Sequence, residues 1–268
     1  MFEDLDWQEE GFPSKSDDPV EIEAREFLRD FFKSNPERVY FSRQLEVQNE
    51  NRYFHWITNR AIRDLAAEGT ILSETRSLRS GGTVKLVWLR GYRYYKREAA
   101  RLVELVNEYS DPNIGAALGL QGEALVLEGF ASIEFVMKGR ESNKYGGRVW
   151  MESDHDLDFV FERDGRAYGV EVKNTLGYMD KVEFDTKIKL CGHLGICPII
   201  AARMLPRSWI NELIREGGFA LVFKYQLYPW AHRELAKKVR TELGLPVDAP
   251  RRLGDGTMAR FLRWHEGL

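Results

Sequence analysis

The residues most able to do chemistry are a carboxylate and an ammonium two positions apart in Tyr168-Gly169-Val170-Glu171-Val172-Lys173. Side chains alternate across a strand, so Glu171 and Lys173 project from one face while Val170 and Val172 project from the other. Upstream runs Asp154-His155-Asp156-Leu157-Asp158-Phe159-Val160-Phe161, and between the two stretches Arg163-Asp164-Gly165-Arg166 carries the Asp-Gly signature of a tight hairpin turn. Asp158 begins the first strand, and Glu171 and Lys173 end the second. An antiparallel pair brings those ends together, so the three charges are expected to converge on one edge of a sheet. Asp158, Glu171 and the backbone carbonyl of Val172 are hard oxygen ligands suited to Mg2+, with Mn2+ as a substitute. Such a metal polarises a phosphoryl oxygen and lowers the pKa of a bound water. Lys173 is placed to orient that water or to neutralise charge developing on phosphorus. This is the minimum equipment for phosphodiester hydrolysis. Asp156 stands as an alternative to Asp158, His155 reads as solvent-facing, and His193 and His232 lack partners at ligand spacing.

The surrounding elements alternate in type. Leu118 to Glu128 reads as a helix stopped by Gly129, and Ala131 to Met137 as a strand. Two strands follow, Leu157 to Phe161 and Ala167 to Val172. Val182 to Leu194 is helical, Pro198 to Ala202 an apolar central strand, Ser208 to Glu216 a helix and Phe219 to Phe223 a strand. This order predicts a mixed sheet flanked by helices.

Before it, Ile22, Ala24, Phe27, Leu28, Phe31 and Phe32 recur at helical spacing, and Asn35-Pro36 ends that helix. A short helix starts at Phe41 with Ser42 as N-cap, and a third runs from about Tyr53 to Glu68, closed by Gly69. Two β-rich runs, Thr70 to Ser73 and Thr83 to Leu89, flank a basic tip from Arg76 to Gly82. A helix from Glu98 to Tyr109 then leads to the breaker Asp111-Pro112-Asn113. Tyr92, Tyr94 and Tyr95 read as packing residues between domains, with an aromatic platform for unpaired bases as the lesser reading.

Two resemblances follow from these patterns. The Asp158, Glu171, Lys173 spacing resembles the PD-(D/E)xK (restriction-endonuclease-like) nuclease superfamily over about residues 118–203, although Leu157 stands where the motif has proline. Gly122-Glu123, on a helix before Gly129-Phe130 and a strand, is similar to the Holliday-junction-resolvase and Mrr-like branches. That similarity implies Glu123 as a further catalytic acid and metal ligand. No QxxxY element of the RecB type is present. Three helices and a hairpin over about residues 20–92 resemble a winged helix-turn-helix. This second likeness implies DNA contacts by Arg43, Arg60, Arg63, Arg76, Arg79 and Lys85, and Lys187 and Lys189, on the helix after the second strand, are candidate phosphate contacts. The implied fold class is α/β (α+β): a mixed-sheet restriction-endonuclease-like core with an N-terminal winged-helix domain. The implied function is that of a metal-dependent DNA endonuclease, a hydrolase. The rival is a non-catalytic DNA-binding regulator, or a subunit of a defence or mobile-element complex that uses the nuclease fold as scaffold. RNA remains open as a substrate.

Bulk properties fit these expectations. The 268 residues carry a net charge of −3, with 43% hydrophobic and 30% charged residues, ordinary for a globular protein. Positive charge is local: residues 33–101 hold fourteen Lys and Arg against seven Asp and Glu, an excess that attracts a polyanion. Residues 1–32 reverse this with eleven acids against three bases. No apolar run approaches the roughly 18 residues needed to cross a bilayer, no secretory leader is evident, and a cytoplasmic, intracellular location is expected. Cys191 and Cys197 read as packed apolar residues rather than a disulfide or zinc half-site. The expected organisation is an acidic flexible tail over 1–19, a winged-helix domain over 20–97, a nuclease-like domain over 98–230 and a C-terminal helical extension over 231–268. Two strands to be cut would suit a homodimer.

Overall fold

The computed structural model describes residues 18–267. The tail expected over 1–19 therefore lies outside the described residues except for its last two. Asp18 caps the first helix by accepting a 2.8 Å hydrogen bond from Val20 N, and Pro19 occupies the first turn, where its missing N–H costs nothing. The fold is mixed α/β with several sheets. The chain divides into two compact units, one holding the described residues up to Gly115 together with Lys238–Leu245, the other holding Ala116–Lys237 and the residues from Pro246 onward.

In the first unit, α1 (Pro19–Ser34) buries Ala24, Leu28 and Phe32, four apart on one face. They pack with Leu45 of α2 (Ser42–Asn49), with Ile57, Ala61, Ile62 and Leu65 of α3 (His55–Ala67), and with Ile71 and Val87 of the sheet. That sheet is antiparallel in the order β1 (Val39–Phe41), β3 (Thr83–Leu89), β2 (Ile71–Ser77). Ser42 is not the cap of α2: Phe41 holds that position, and its N–H donates to Gln44 Oε1 at 3.3 Å. Tyr40 and Phe41 pair with Val87 and Leu86, and this short strand, not legible as periodicity, moves the helix start. Gly69 closes α3 as expected. At φ +73° it lets Thr70 N reach Leu65 O at 2.9 Å and its own N–H reach Ala66 O at 3.0 Å, a Schellman closure. The β2–β3 hairpin is longer than expected. Arg76 pairs in register with Val84 inside the strand and is not at the tip. The next helix, α4 (Tyr95–Tyr109), buries Ala99, Leu102, Leu105 and Val106 and packs on β1 and β3, so the N-terminal stretch of the unit runs past 97 to Gly115.

The second unit is built on a five-stranded sheet in the order β10 (Phe219–Val222), β9 (Cys197–Ala202), β8 (Arg166–Lys173), β7 (Leu157–Arg163), β4 (Val136–Ser142). β8, β9 and β10 are parallel; β7 runs antiparallel to both β8 and β4. A small hairpin, β5 (Lys144–Tyr145) with β6 (Arg148–Val149), precedes β7. One face of the sheet is covered by Leu125, Val126 and Phe130 of α5 (Pro112–Ser132) and by Met258 and Phe261 of α9 (Asp255–Glu266). The other face meets α6 (Lys181–Leu194) through Leu190, Cys191 and Leu194, and buries Phe184 with Ile200 and with Leu213 of α7 (Arg207–Arg215). A two-stranded parallel ladder joins β11 (Gln226–Leu227) to β12 (Val247–Asp248), on either side of α8 (Arg233–Leu243). The residues expected as a separate extension over 231–268 are thus divided: Lys238–Leu245 belongs to the first unit and the residues from Pro246 onward to the second, where Leu253 and Phe261 enter the core.

Two boundaries differ from the sequence expectation for one reason. Gly129 does not stop α5. A Cβ there would lie 3.0 Å from Met258 Sδ, so the glycine admits α9. The helix ends instead at Ser132, and Glu134, held at φ +64°, turns the chain with Phe135 N bonded to Phe130 O. A non-glycine residue in that conformation costs about 1–2 kcal/mol, which burial of Phe130 and Phe135 offsets. The strand expected over 131–137 accordingly starts at Val136. By length and composition α5 is also long and apolar enough to cross a membrane, against the expectation that no run comes close; here Leu125, Val126 and Phe130 pack in the sheet core, while Leu120 is exposed. Cys191 and Cys197 are both free.

Candidate active site

The β7–β8 hairpin forms as the sequence predicts. Asp164 and Gly165 take positive φ, 52° and 76°, and Arg163 pairs with Arg166. The ladder is recorded down to Phe159 opposite Val170, so Asp158 and Glu171 are the next residues outward on their strands. Because β7 and β8 are interior strands, the charges gather at the ends of central strands and not on a lateral edge.

There the Asp158 carboxylate takes the place of a ladder partner: its Oδ2 accepts a 2.6 Å bond from Val172 N. In an extended strand a residue's N–H and C=O point the same way, so the Val172 carbonyl opens toward the same side. Glu171 is buried, 3% exposed. Its Oε1 lies 3.3 Å from Lys173 Nζ and its Oε2 lies 2.7 Å from Lys187 Nζ, reached from α6. The second contact is an ion pair out of hydrogen-bond alignment, which leaves Oε2 a buried acceptor with no hydrogen bond. Lys187, only 5% exposed, also donates to the Asp156 carbonyl. It is thus turned inward and does not stand on the surface as a phosphate contact. Lys173 makes a second, closer contact of 2.6 Å to Glu183 on the first turn of α6, where Asp180 caps the helix.

Burial pushes the Asp158 carboxyl up to about 7, helped by the Glu171 and Glu123 charges and opposed by Val172 N–H and Lys187. Burial alone would lower the Lys173 ammonium, but the Glu171 and Glu183 carboxylates outweigh it and raise the group above its ordinary value.

Glu123 approaches from α5. The approach depends on Gly122: a Cβ there would lie 2.7 Å from Asn174 Cβ and 3.3 Å from Val172 Cγ1. Glu123 is held by Arg140 of β4, Oε2 to Nη2 at 3.0 Å. Among the described residues no group of three or more His, Cys, Asp or Glu side chains is placed to hold a metal ion. The donors that do share one place are Asp158, Glu171 and the Val172 carbonyl, all hard oxygens. They suit Mg2+ or Mn2+ in type, and a cation at Glu171 Oε2 would share that oxygen with the Lys187 ammonium 2.7 Å away. Asp156 contributes its backbone carbonyl to Lys187, whereas the Asp158 carboxylate is the one at the cluster. His155 Nδ1 is 2.9 Å from Ser153 Oγ, and His193 Nε2 is 2.9 Å from Val149 O.

Sequence reasoning did not single out Asn174, the residue that follows β8. It is 5% exposed, donates to Leu118 O and Leu227 O, each at 2.7 Å, and accepts from Leu227 N at 2.7 Å. It thereby ties α5 and β11 to the end of the strand that carries Glu171 and Lys173. Asn174→Ala leaves three backbone groups without these partners, at about 1–3 kcal/mol for each that stays unsatisfied. We expect a fall in urea midpoint corresponding to at least about 3 kcal/mol; a loss below about 1 kcal/mol would show that the junction tolerates solvent.

The arginines expected to face DNA are mostly engaged within the first unit. Arg43 pairs with Glu46 at 2.9 Å, Arg60 with Glu21 at 2.7 Å, Arg76 with Glu74 at 2.9 Å and Arg79 with Glu104 at 2.5 Å. The tip is tied back further by Arg79 N bonded to Asn107 Oδ1 at 2.8 Å. Arg63 is exposed. Lys85 is partly buried, and that burial lowers its pKa, with the Arg63 charge adding to the effect. Comparison with protein-family models, with curated proteins and with solved structures gives no match.

Proposed function

We propose that the chain is a metal-dependent DNA endonuclease of the PD-(D/E)xK kind, with DNA positioned by a winged helix in its first unit. The observation that carries the reading is the meeting of Asp158, Glu171 and Lys173 at the ends of two adjacent central strands, with the Val172 carbonyl beside them. Mg2+ is the cofactor that Asp158, Glu171 and Val172 would hold, and bound there it would supply Lewis acidity toward a phosphodiester. Lys173, kept protonated by Glu171 and Glu183, neutralises charge on the phosphate and is not a proton acceptor. Glu183 holds that ammonium until a phosphate competes for it. Glu123 joins the donor set if Arg140 releases it. The element order α1-β1-α2-α3-β2-β3 supports the winged-helix assignment, and the basic excess over 33–101 supports a polyanionic partner.

The test is cleavage of supercoiled, linear and single-stranded DNA by the full chain with Mg2+, Mn2+ or EDTA, beside Lys173→Ala. Cleavage that needs the metal and falls at least about a hundredfold in the variant, with DNA binding kept, is expected. Equal cleavage by the variant would overturn the assignment. A second reading, a non-catalytic DNA-binding protein built on the same fold, is favoured by the way Lys187, Lys173 and Arg140 already balance Glu171 and Glu123. DNA binding in EDTA with no turnover under any condition is its signature.

A further inference from the structure

We propose that an open cleft in the first unit, formed where β3 gives way to α4, binds single-stranded nucleic acid. The cleft measures about 880 Å3 and is lined by Arg38, Tyr92, Arg93, Tyr94, Lys96 and Arg97, with Arg101 at its rim. Its charge is one-sided. Arg38, Arg93, Lys96 and Arg97 are exposed, and none makes a side-chain ion pair or hydrogen bond among the described residues. Arg101 makes only a long contact of 3.7 Å to Glu242. Two acids, Glu37 and Glu98, share the cleft, and Glu98 is engaged by the Tyr92 hydroxyl. Arg38, Arg93, Lys96 and Arg97 thus sit idle among the described residues, whereas Arg43, Arg60, Arg76 and Arg79 are bound to carboxylates of the same unit. Idle like charges crowded into one concavity repel one another, and a phosphate backbone relieves that repulsion while releasing its counterions.

The aromatic residues decide the form of the polyanion. Tyr95 is used for packing, stacked on Trp88 at 4.2 Å between centroids and 9° between planes. Tyr94, one residue before it, is 80% exposed amid the cations. A ring free in water and flanked by guanidinium groups is a platform for an unstacked base. Duplex DNA keeps its base faces stacked inside and offers such a ring nothing but backbone. The site is separate from the sheet-end carboxylates in composition and does not depend on them for binding.

The test reads binding to the full chain in EDTA, where cleavage plays no part. Fluorescence anisotropy is measured for labelled oligothymidylate, oligouridylate and a duplex of equal length, with Tyr94→Ala and the Arg93→Ala/Arg97→Ala double variant. Removing the stacking ring is expected to weaken single-strand binding about five- to a hundredfold and to leave duplex binding unchanged. Removing two phosphate contacts is expected to reduce the salt slope for single strands by about 1.4. Comparison of the two oligonucleotides shows whether DNA or RNA is the source. Unchanged single-strand affinity in both variants overturns the proposal. So does an equal loss for duplex and single strand in Tyr94→Ala, or equal retention by phosphatidylserine vesicles that Tyr94→Ala does not alter. Unchanged circular dichroism and urea midpoints show that the variants are folded. Duplex cleavage that survives these substitutions would leave the endonuclease reading intact whichever way the binding falls.

Discussion

Asp158→Asn is expected to be more stable than the wild-type chain at pH 7 and above in EDTA, and inactive with Mg2+. Burial, then the Glu171 charge, lifts the Asp158 carboxyl from 3.8 to about 7 in the folded chain. Between about pH 4 and about pH 7 the unfolded chain has given up a proton that the folded chain still keeps. Wild-type stability therefore falls as pH rises through this window, and the deficit is complete above it. The contribution is on the order of 4 kcal/mol. Asparagine carries no charge at any pH and can still accept the Val172 N–H, so the variant escapes the penalty. Its advantage should be largest above pH 7 and vanish toward pH 4. Urea titrations at a series of pH values measure this directly. Adding Mg2+ at pH 8 should raise the wild-type midpoint, because a cation offsets the repulsion, and should do much less for the variant. Parallel pH profiles for the two proteins would mean that Asp158 is not held against Glu171 in the way the geometry describes.

The second large effect belongs to Lys187→Met. The ammonium is 5% exposed and stands 2.7 Å from a carboxylate oxygen of Glu171, itself 3% exposed. Methionine keeps much of the stem volume and removes the charge. Glu171 is then left buried with Lys173 at 3.3 Å as its remaining cation, and breaking a buried pair on one side costs about 3–5 kcal/mol. The Asp156 carbonyl loses its donor as well, which loosens the chain just before Asp158. The double variant Glu171→Gln/Lys187→Met should recover most of the loss, since replacing both partners is often close to neutral. A double-mutant cycle in urea gives the coupling. A single-variant cost under about 1 kcal/mol would show that the two charges are solvated and unpaired. The single variant should also gain more from Mg2+ than the wild type, because a competing positive charge has gone.

The parts of this protein that can be read from sequence are those set by local rules. Period-2 alternation places Glu171 and Lys173 on one face, and the Asp164-Gly165 turn sets the register that brings Asp158 to their strand end. Six of the elements in the second unit, β7, β8, α6, β9, α7 and β10, start and stop within a few residues of their expected places for the same reason: hydrophobic period and turn chemistry act over short distances. The stop signal at Gly129 does not end α5 because that glycine answers to α9, more than a hundred residues later in the chain, and local rules carry no information about such a neighbour.

What only the tertiary structure decides is the company each charge keeps. Lys187 looks in the sequence like one more surface lysine of a helix; packing of α6 on the sheet turns it inward onto Glu171. Glu183 and Arg140 become partners of Lys173 and Glu123 across 10 and 17 positions respectively, and Asn174 joins segments 56 and 53 residues away. The arginines of the first unit divide in the same manner. Arg60 and Arg79 read as equal to Arg93 and Arg97 by composition, yet the former meet Glu21 and Glu104 while the latter meet no carboxylate among the described residues. The energy of a charge depends on distance and burial, and both are properties of the packed chain. Residue type and spacing thus determined which groups were available for chemistry, and folding determined which of them are compensated and which are left to bind something else.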